Sequence, residues 1–330
     1  MDFSKQLETP VLFMVFNRPL QTLRVFESIR KVRPTKLYVA VDGPRNGRQD
    51  DIEKREEVLN IVRNVDWECE THYLIHDNNL GCSKSGPTAW NWVFETEDRV
   101  IFVEDDGLGN ESAFFFVQDM LEKYKDDERV GYVGAVNYGQ TYGDKSYFFT
   151  MFPAATYFMG FWKRTQELYD YELNTYDEAI KDGSLRKGYR TWVEWLLGNF
   201  SFKSYKRSIR KGCRYNTYDI QINFLVHRFK KCTIYPNVNM VSNIGLEGGA
   251  NNQVDINSKF YKEYGNRKRF QMNSITYCDD VYVDNDFDMS FFNYRCLHYN
   301  NWIKVYLKSV LYEYYGGLYR KYIRPIRRGK

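Results

Sequence analysis

The sequence has no run of about 18 apolar residues, which excludes a membrane-spanning helix. Its first ten residues, MDFSKQLETP, hold no apolar stretch of the kind a secretory signal needs, so none is expected. Cysteine is sparse and scattered: Cys69, Cys82, Cys213, Cys232, Cys278 and Cys296 make no CxxC pair, and reduced thiols, mostly in the core, are expected. The four histidines (His72, His76, His227, His298) form no HExxH pattern, which argues against a zinc site. No GxGxxG follows the first apolar run and no GxxxxGK[ST] occurs, which disfavours a nicotinamide or P-loop nucleotide site. Internal repeats and low-complexity tracts are also missing.

What the chain has in excess is aromatic residues: 18% of 330, as 28 Tyr, 23 Phe and 7 Trp. With 43% hydrophobic residues it can bury ample apolar surface, so disorder is excluded. The length suits one large α/β domain or two smaller ones. The formal net charge of +4 is unevenly placed. Residues 301–330 hold eight Lys/Arg (Lys304, Lys308, Arg320, Lys321, Arg324, Arg327, Arg328, Lys330) against one acid, Glu313. That tail is +7, which leaves the other 300 residues at −3. Its apolar and aromatic residues (Trp302, Ile303, Tyr306, Leu307, Val310, Leu311, Tyr314) fall on one helical face, with Lys304 and Lys308 off it. Aromatics beside Lys/Arg mark a helix lying on an anionic membrane surface. Nucleic acid is the weaker partner, since no nucleic-acid motif accompanies the charge.

Along the chain, PVLFMVFN (10–17) is a continuous apolar run bounded by prolines, as a buried parallel strand is. The helix that follows (19–31) places Leu20, Leu23, Phe26 and Ile29 at helical spacing, with Pro19 at its start. LYVAVDGPR (37–45), a helix with Val58, Ile61 and Val62 on one face, THYLIHDNNLG (71–81), the helical TAWNWVFET (88–96) and DRVIFVEDD (98–106) continue an alternation of strand and helix. This predicts an α/β fold, a mostly parallel sheet with helices on both faces. Ligands of such sheets bind outside the carboxyl ends of the strands. Those ends carry Asn17/Arg18, Asp42, Asp77/Asn79 and Glu104/Asp105/Asp106. Beyond them the pattern predicts a helix over 112–127 capped by Ser112, a short strand, loop and helix over 142–172, a helix over 216–231, and a strand entering a loop over 232–245. Loops are expected over 246–290.

Three adjacent carboxylates at a strand end repel one another unless a cation intervenes. A hard divalent ion with oxygen ligands, Mn²⁺ or Mg²⁺, is the natural counterpart and leaves positions for phosphate oxygens. At these residues the sequence resembles the GT-A nucleotide-diphospho-sugar transferases, especially bacterial glycosyltransferases related to the N-acetylglucosaminyltransferase I family. The resemblance rests on an ordered set from Pro10 to Gly245: VLFMVFNRP, TLRVFESIR, LYVAVDGPR, NNLGCSKSGPTAWNWVFE, FVEDD, FFFVQDMLEKYKDDERV, MGFWKRTQELYD, TYDIQINFLV and PNVNMVSNIG. One departure is the loop GLGNES (107–112), which lacks the proline the family usually has there.

The resemblance implies a GT-A architecture, a UDP-sugar donor and a role for each matching position. Phe16, Asn17 and Arg18 would line the base and phosphate edge, and Asp42 would accept a hydrogen bond from the base. Asn79, Gly81 and Lys84 would lie near ribose and diphosphate. Glu104 would bind ribose, Asp105 would hold a metal-bound water and Asp106 would ligate the metal. Asp219 matches the family's catalytic base, with Glu194 in TWVEW as a rival. Gly160, Phe161 and Trp162 with Asn243, Ile244 and Gly245 would wall the donor-sugar and acceptor side. On the residues alone, Lys84 is either a phosphate ligand or a solvated lysine. Trp162 either stacks on a sugar or packs in the core, and Tyr218 and Asn216 either shape an acceptor site or pack. Trp90 and Trp92 are expected in the core.

The function expected is a metal-dependent, inverting transfer of a sugar to a lipid-linked saccharide in surface-polysaccharide assembly such as capsule or O-antigen. The enzyme would sit in the cytoplasm against the inner face of the membrane. A sugar nucleotidyltransferase and a catalytically degenerate sugar-nucleotide-binding scaffold are the alternatives. The expected organisation is a catalytic domain over 1–245 (nucleotide half 1–110, acceptor half 111–245), a loop-rich extension over 246–300 and the basic tail.

Overall fold

In the computed structural model of the chain, described residues are 1–212, 217–246, 257, 261, 265, 267–293 and 307. The tail reading therefore lies outside the described residues, apart from Leu307, as do Cys213, Asn216, Cys296 and His298.

The apolar runs form strands where expected: β1 (Val11–Val15), β2 (Lys36–Val41), β3 (Glu70–Ile75) and β4 (Arg99–Glu104). They are joined by α1 (Pro19–Val32), α2 (Gln49–Val62) and α3 (Cys82–Val93). These four strands are parallel, in the order β3-β2-β1-β4. After the acidic triplet come β5 (Gly107–Gly109), α4 (Glu111–Lys123), β6 (Val130–Gly134), β7 (Tyr147–Thr150) and β8 (Phe158–Trp162). Five helices follow, α5 (Lys163–Gln166), α6 (Tyr176–Lys181), α7 (Ser184–Lys187), α8 (Trp192–Arg210) and α9 (Asp219–Phe229). Last are β9 (Cys232–Pro236), β10 (Val241–Asn243) and α10 (Asn285–Phe292).

The large sheet runs β3-β2-β1-β4-β8-β6-β9-β7, with β8 antiparallel to both of its neighbours and β7 antiparallel to β9. The fold is thus α/β, a mostly parallel sheet flanked by helices. Odd-numbered β1 residues such as Phe13, with Val103 of β4, pack under α1, α2 and α4. Even-numbered ones such as Leu12, with Phe102, pack under α3 and α9 through Trp90 and Ile222. A third cluster joins α6, α7 and α8 to the outer side of α9 through Phe224. Trp90 is core as expected, and Trp92 stacks edge-on with Tyr38.

Several local expectations are corrected. α1 buries Val25, Phe26, Ile29 and Val32, whereas Leu20 and Leu23 are exposed, because the helix turns its Thr22 side inward. α4 is capped by Asn110, whose Oδ1 accepts from the Ala113 amide at 3.1 Å, and the Ser112 hydroxyl instead donates to the Met272 carbonyl. The region 142–172 holds a second strand, β8, and only a four-residue helix. The stretch 246–290 is not all loop: α10 starts at Asn285, capped by Asp284. Its Asp288 is wholly buried, accepting from Thr150 Oγ1 at 2.5 Å and the Met151 amide at 2.9 Å. Among the described residues, no helix is long and apolar enough to cross a membrane.

Candidate functional site

β2 lies on one side of β1 and β4 on the other, and the chain crosses back over β1 between β3 and β4. The crevice between the carboxyl ends of β1 and β4 is therefore the sheet's topological switch point, where ligands of open α/β sheets bind. Arg18 leaves the end of β1, and Asp105 and Asp106 leave the end of β4. They meet across this point, with Arg18 Nη1 3.0 Å from Asp105 Oδ1 and 3.2 Å from Asp106 Oδ2.

Alternation along β4 divides the acids. Glu104 belongs with Phe102 to the α3/α9 face, and there the Tyr218 hydroxyl donates to its Oε1. It does not turn toward Arg18 with the other two. Burial raises Glu104 well above the ordinary carboxylate range, and repulsion from Asp106 adds to this. Asp105 is pushed up by burial to about 6, with Arg18 pulling the other way. Asp106 is raised by burial, again opposed by Arg18.

Asp106 is enclosed by the loop after β10. β10 pairs antiparallel with β5, directly after the triplet. The Ile244 amide donates to the Asp106 carbonyl at 2.9 Å, and the Asn243 side chain lies beside the carboxylate and favours its charged form. A Cβ on Gly245 would lie 2.3 Å from Asp106 Oδ2, so any side chain here would force the loop or this carboxylate to shift. Asp106 Oδ1 is buried without a hydrogen-bond partner. A desolvated carboxylate oxygen of that kind is costly unless something accepts its charge, and it fits the hard cation expected from the triplet. Among the described residues, no group of three His, Cys, Asp or Glu is arranged to hold a metal by itself. The other ligands of a cation here would be water and oxygens of a bound substrate.

The remaining strand ends converge as expected, though several side chains have other partners. Asp42 is buried. Its Oδ1 accepts from the Gly43 and Leu80 amides (2.9 and 2.8 Å), and its Oδ2 from Asn79 Nδ2 and the Gly81 amide (both 3.0 Å). Four donors fill the acceptor sites of a carboxylate. Asp42 therefore anchors the 78–81 loop and has no free site for a base. Asn79 also donates to the Gly43 carbonyl at 2.9 Å. The Asn17 amide goes to Asp51 Oδ1 at 2.6 Å, and Arg45 grips the same buried Asp51 from Nε and Nη2. The Arg45 guanidinium also lies over the half-buried Phe16 ring, 5.7 Å from its centroid. Lys84 is exposed in the first turn of α3.

Two expectations fail outright on position. Gly160, Phe161 and Trp162 are not at this edge. β8 runs antiparallel to β4, so Trp162 pairs with Arg99 at the amino end while Phe158 pairs with Val103 near the acids. All three are core. A Cβ on Gly160 would strike Val117, Phe161 packs on Trp90, and the buried Trp162 donates from Nε1 to the Leu121 carbonyl at 3.2 Å. Glu194 is buried in the capping box of α8 and ion-paired with Arg190, which also pairs with Asp288. That leaves it no opening toward a substrate.

Asp219 is the exposed first residue of α9, held by two hydroxyls. Thr156 Oγ1 donates to its Oδ1 at 2.8 Å and Thr217 Oγ1 to its Oδ2 at 2.7 Å. Its charge is felt at Glu104 and at the Cys82 thiol near Tyr218. Sequence reading passed over Thr156 and Tyr157, which lie in the loop entering β8 and left no residue-type signal. It also passed over the Arg45–Asp51 pair, hidden in a run of charges.

No protein-family model matches the chain, and no curated protein matches it. Solved structures that match include UDP-glucose pyrophosphorylase complexed with UDP-glucose, at 9% identity and a TM-score of 0.26, covering 43% of this chain and 62% of that one. They also include 4-diphosphocytidyl-2C-methyl-D-erythritol synthase from Anaerococcus prevotii DSM 20548, at 9% identity and a TM-score of 0.33, covering 71% of this chain and 90% of that one. The chain thus spans less than two thirds of the length of the first. Likeness this loose leaves the fold resting on the sheet order itself.

Proposed function

We propose that the chain is a metal-dependent, inverting glycosyltransferase that uses a nucleotide-diphospho-sugar, with UDP-sugar as the first donor to test. The observation that carries this reading is the meeting of Arg18, Asp105 and Asp106 at the switch point, with Asp219 the exposed carboxylate on the helix beside it. Arg18 supplies positive charge for a diphosphate, and Asp106 Oδ1 supplies an oxygen for Mn²⁺ or Mg²⁺, with Asp105 acting through water. A bound divalent ion would stabilise the charge gathering on the leaving diphosphate. Phe16 under Arg45 offers a flat face for the base. Asp219 takes the proton of the acceptor hydroxyl, whose oxygen attacks the anomeric carbon. The bond from that carbon to the diphosphate oxygen breaks, and its electron pair leaves with the nucleoside diphosphate. Among the described residues no second carboxylate is assigned to form a covalent glycosyl intermediate, so the proposed displacement is single and inverts the anomeric carbon.

The acceptor in this proposal is a lipid-linked saccharide, reached by the chain's +7 tail lying on an anionic membrane surface. Deleting residues 301–330 should weaken vesicle binding and leave nucleotide binding intact. A screen of nucleotide-sugars for donor hydrolysis, with and without Mn²⁺, tests the main reading. Asp106→Ala should lose metal-dependent UDP binding and Asp219→Asn should lose transfer. Pyrophosphate release from a nucleoside triphosphate and a sugar phosphate would identify a nucleotidyltransferase instead. Sugar-nucleotide binding with no turnover would identify a scaffold.

A further inference from the structure

Asp219 is tied to the acidic strand end by a closed ring of contacts. Tyr218, its neighbour in sequence, donates its hydroxyl to Glu104 Oε1. Asp219 Oδ1 accepts from Thr156 Oγ1 at 2.8 Å. Tyr157, the next residue after Thr156, accepts the Glu104 amide on its carbonyl at 3.0 Å. The path runs Glu104, Tyr218, Asp219, Thr156, Tyr157 and back to Glu104. It alternates hydrogen bonds with single chain steps, so no part of it can slide alone.

The surroundings lock the ring. Tyr218 is 2% exposed, and its aromatic ring meets Trp90 edge-on with centroids 4.9 Å apart. A Cβ on Gly86 would come within 2.8 Å of that ring, so α3 carries glycine where Tyr218 passes. On the other side, Thr217 Oγ1 both donates to Asp219 Oδ2 and accepts the Asp219 amide at 3.1 Å. Two of the four acceptor positions of the carboxylate are thereby fixed and two are left open. An exposed side chain at the start of a helix would otherwise be free to rotate, and displacement of a reacting group by about 1 Å costs on the order of a hundredfold in rate.

We infer that Glu104, Tyr218 and Thr156 are positioning residues that set the carboxylate of Asp219 relative to Asp105 and Asp106, and that Glu104 serves this purpose in place of binding ribose. This rests on the glycosyltransferase reading with Asp219 as base.

The experiment compares Asp219→Asn, Glu104→Ala, Tyr218→Phe, Thr156→Val, Thr156→Ser and the Tyr218→Phe/Thr156→Val double variant. Each is assayed for transfer kinetics, for UDP affinity with Mn²⁺ by calorimetry and for thermal stability. Tyr218→Phe and Thr156→Val should each lower kcat by about tenfold to a hundredfold with donor KM and UDP affinity unchanged. Thr156→Ser, which keeps the hydroxyl, should restore kcat. The double variant should fall little below the worse single one, because either change opens the same ring. Glu104→Ala should lower kcat at unchanged UDP affinity. If Asp219→Asn is inactive while Tyr218→Phe and Thr156→Val keep full kcat, the inference is overturned and the base assignment survives. Losses that multiply and follow lost thermal stability overturn it too, as does weakened UDP binding in Glu104→Ala. Full transfer by Asp219→Asn overturns the base assignment itself. Should Tyr218→Phe fail to fold, the Thr156 pair of variants decides alone.

Discussion

The Arg18 guanidinium stands 3.0 Å from Asp105 and 3.2 Å from Asp106, so one cation from the loop after β1 bridges two acids from the loop after β4 and offsets part of their charge. Both partners are mostly buried, with the side chains 18% and 10% exposed. Removing one member of such a pair leaves uncompensated charge in a poorly solvated place, at a cost of about 3–5 kcal/mol. Arg18→Gln should therefore melt earlier than the parent in metal-free buffer. Mn²⁺ should raise the melting temperature of the variant more than that of the parent, because a second cation then meets unneutralised acids. Equal shifts in calorimetric melts of the two proteins would count against this.

Gly245 gives a sharper probe of the same carboxylate. An added Cβ would sit 2.3 Å from Asp106 Oδ2 and 2.8 Å from Asp106 Cβ, and the loop or the aspartate must shift. Gly245→Ala is expected to fold, since the collision is local. It should weaken Mn²⁺-dependent UDP binding by at least about tenfold, which corresponds to about 1.4 kcal/mol. Titration calorimetry with and without Mn²⁺ measures this, and unchanged binding would remove Gly245 from the site.

Trp162 tests the correction to the sugar-stacking reading. As a buried residue at the amino end of β4, it should contribute stability and nothing to donor choice. Trp162→Ala is expected to cost about 3–5 kcal/mol in denaturant unfolding. Trp162→Phe should retain the parent's kcat/KM ratios across a panel of nucleotide-sugars.

His227 sets an acid limit on stability. Burial holds its imidazole neutral, lowering it from 6.5 to about 4, and it stacks on Tyr189 with centroids 3.9 Å apart. The unfolded chain takes up this proton near pH 6.5, whereas the folded chain resists until about 4. Stability from the neutral ring is complete above pH 6.5 and is lost as pH falls through this window, by about 3 kcal/mol at most. Burial of Glu104, Asp105 and Asp106 acts in the opposite sense over the same window, so the His227 contribution is read as a difference: the stability of the parent relative to His227→Phe, from urea unfolding, should decline between pH 7 and pH 4.

The parts legible in the sequence were those whose signal is local. β1, β2 and β4 are buried on both faces and read as unbroken apolar runs. Their polar ends had to share an edge once the strands were parallel. β6 and β8 were not legible, since VGYVG and FMGFW are five-residue segments with glycine and no alternation, paired with strands distant in sequence. The saturation of Asp42 was hidden because its main donors are backbone amides, which any residue supplies. The role of Glu194 was readable and overlooked: Thr191-Trp-Val-Glu194 is the T-x-x-E pattern of a capping box. The period-two alternation of β4 likewise separates Glu104 from Asp105.

The antiparallel strand β8 sits between β4 and β6, yet it is made after both of them. A ribosome that has released β4 and β6 has produced two strands with no partner on their facing edges. A bare edge of this kind is a template for pairing with other chains. The nascent protein must carry that exposed pair until Phe158–Trp162 clears the exit tunnel and zips the two halves together. Truncations that end before Trp162 should accordingly collect in inclusion bodies, although every strand-end acid has already been synthesised.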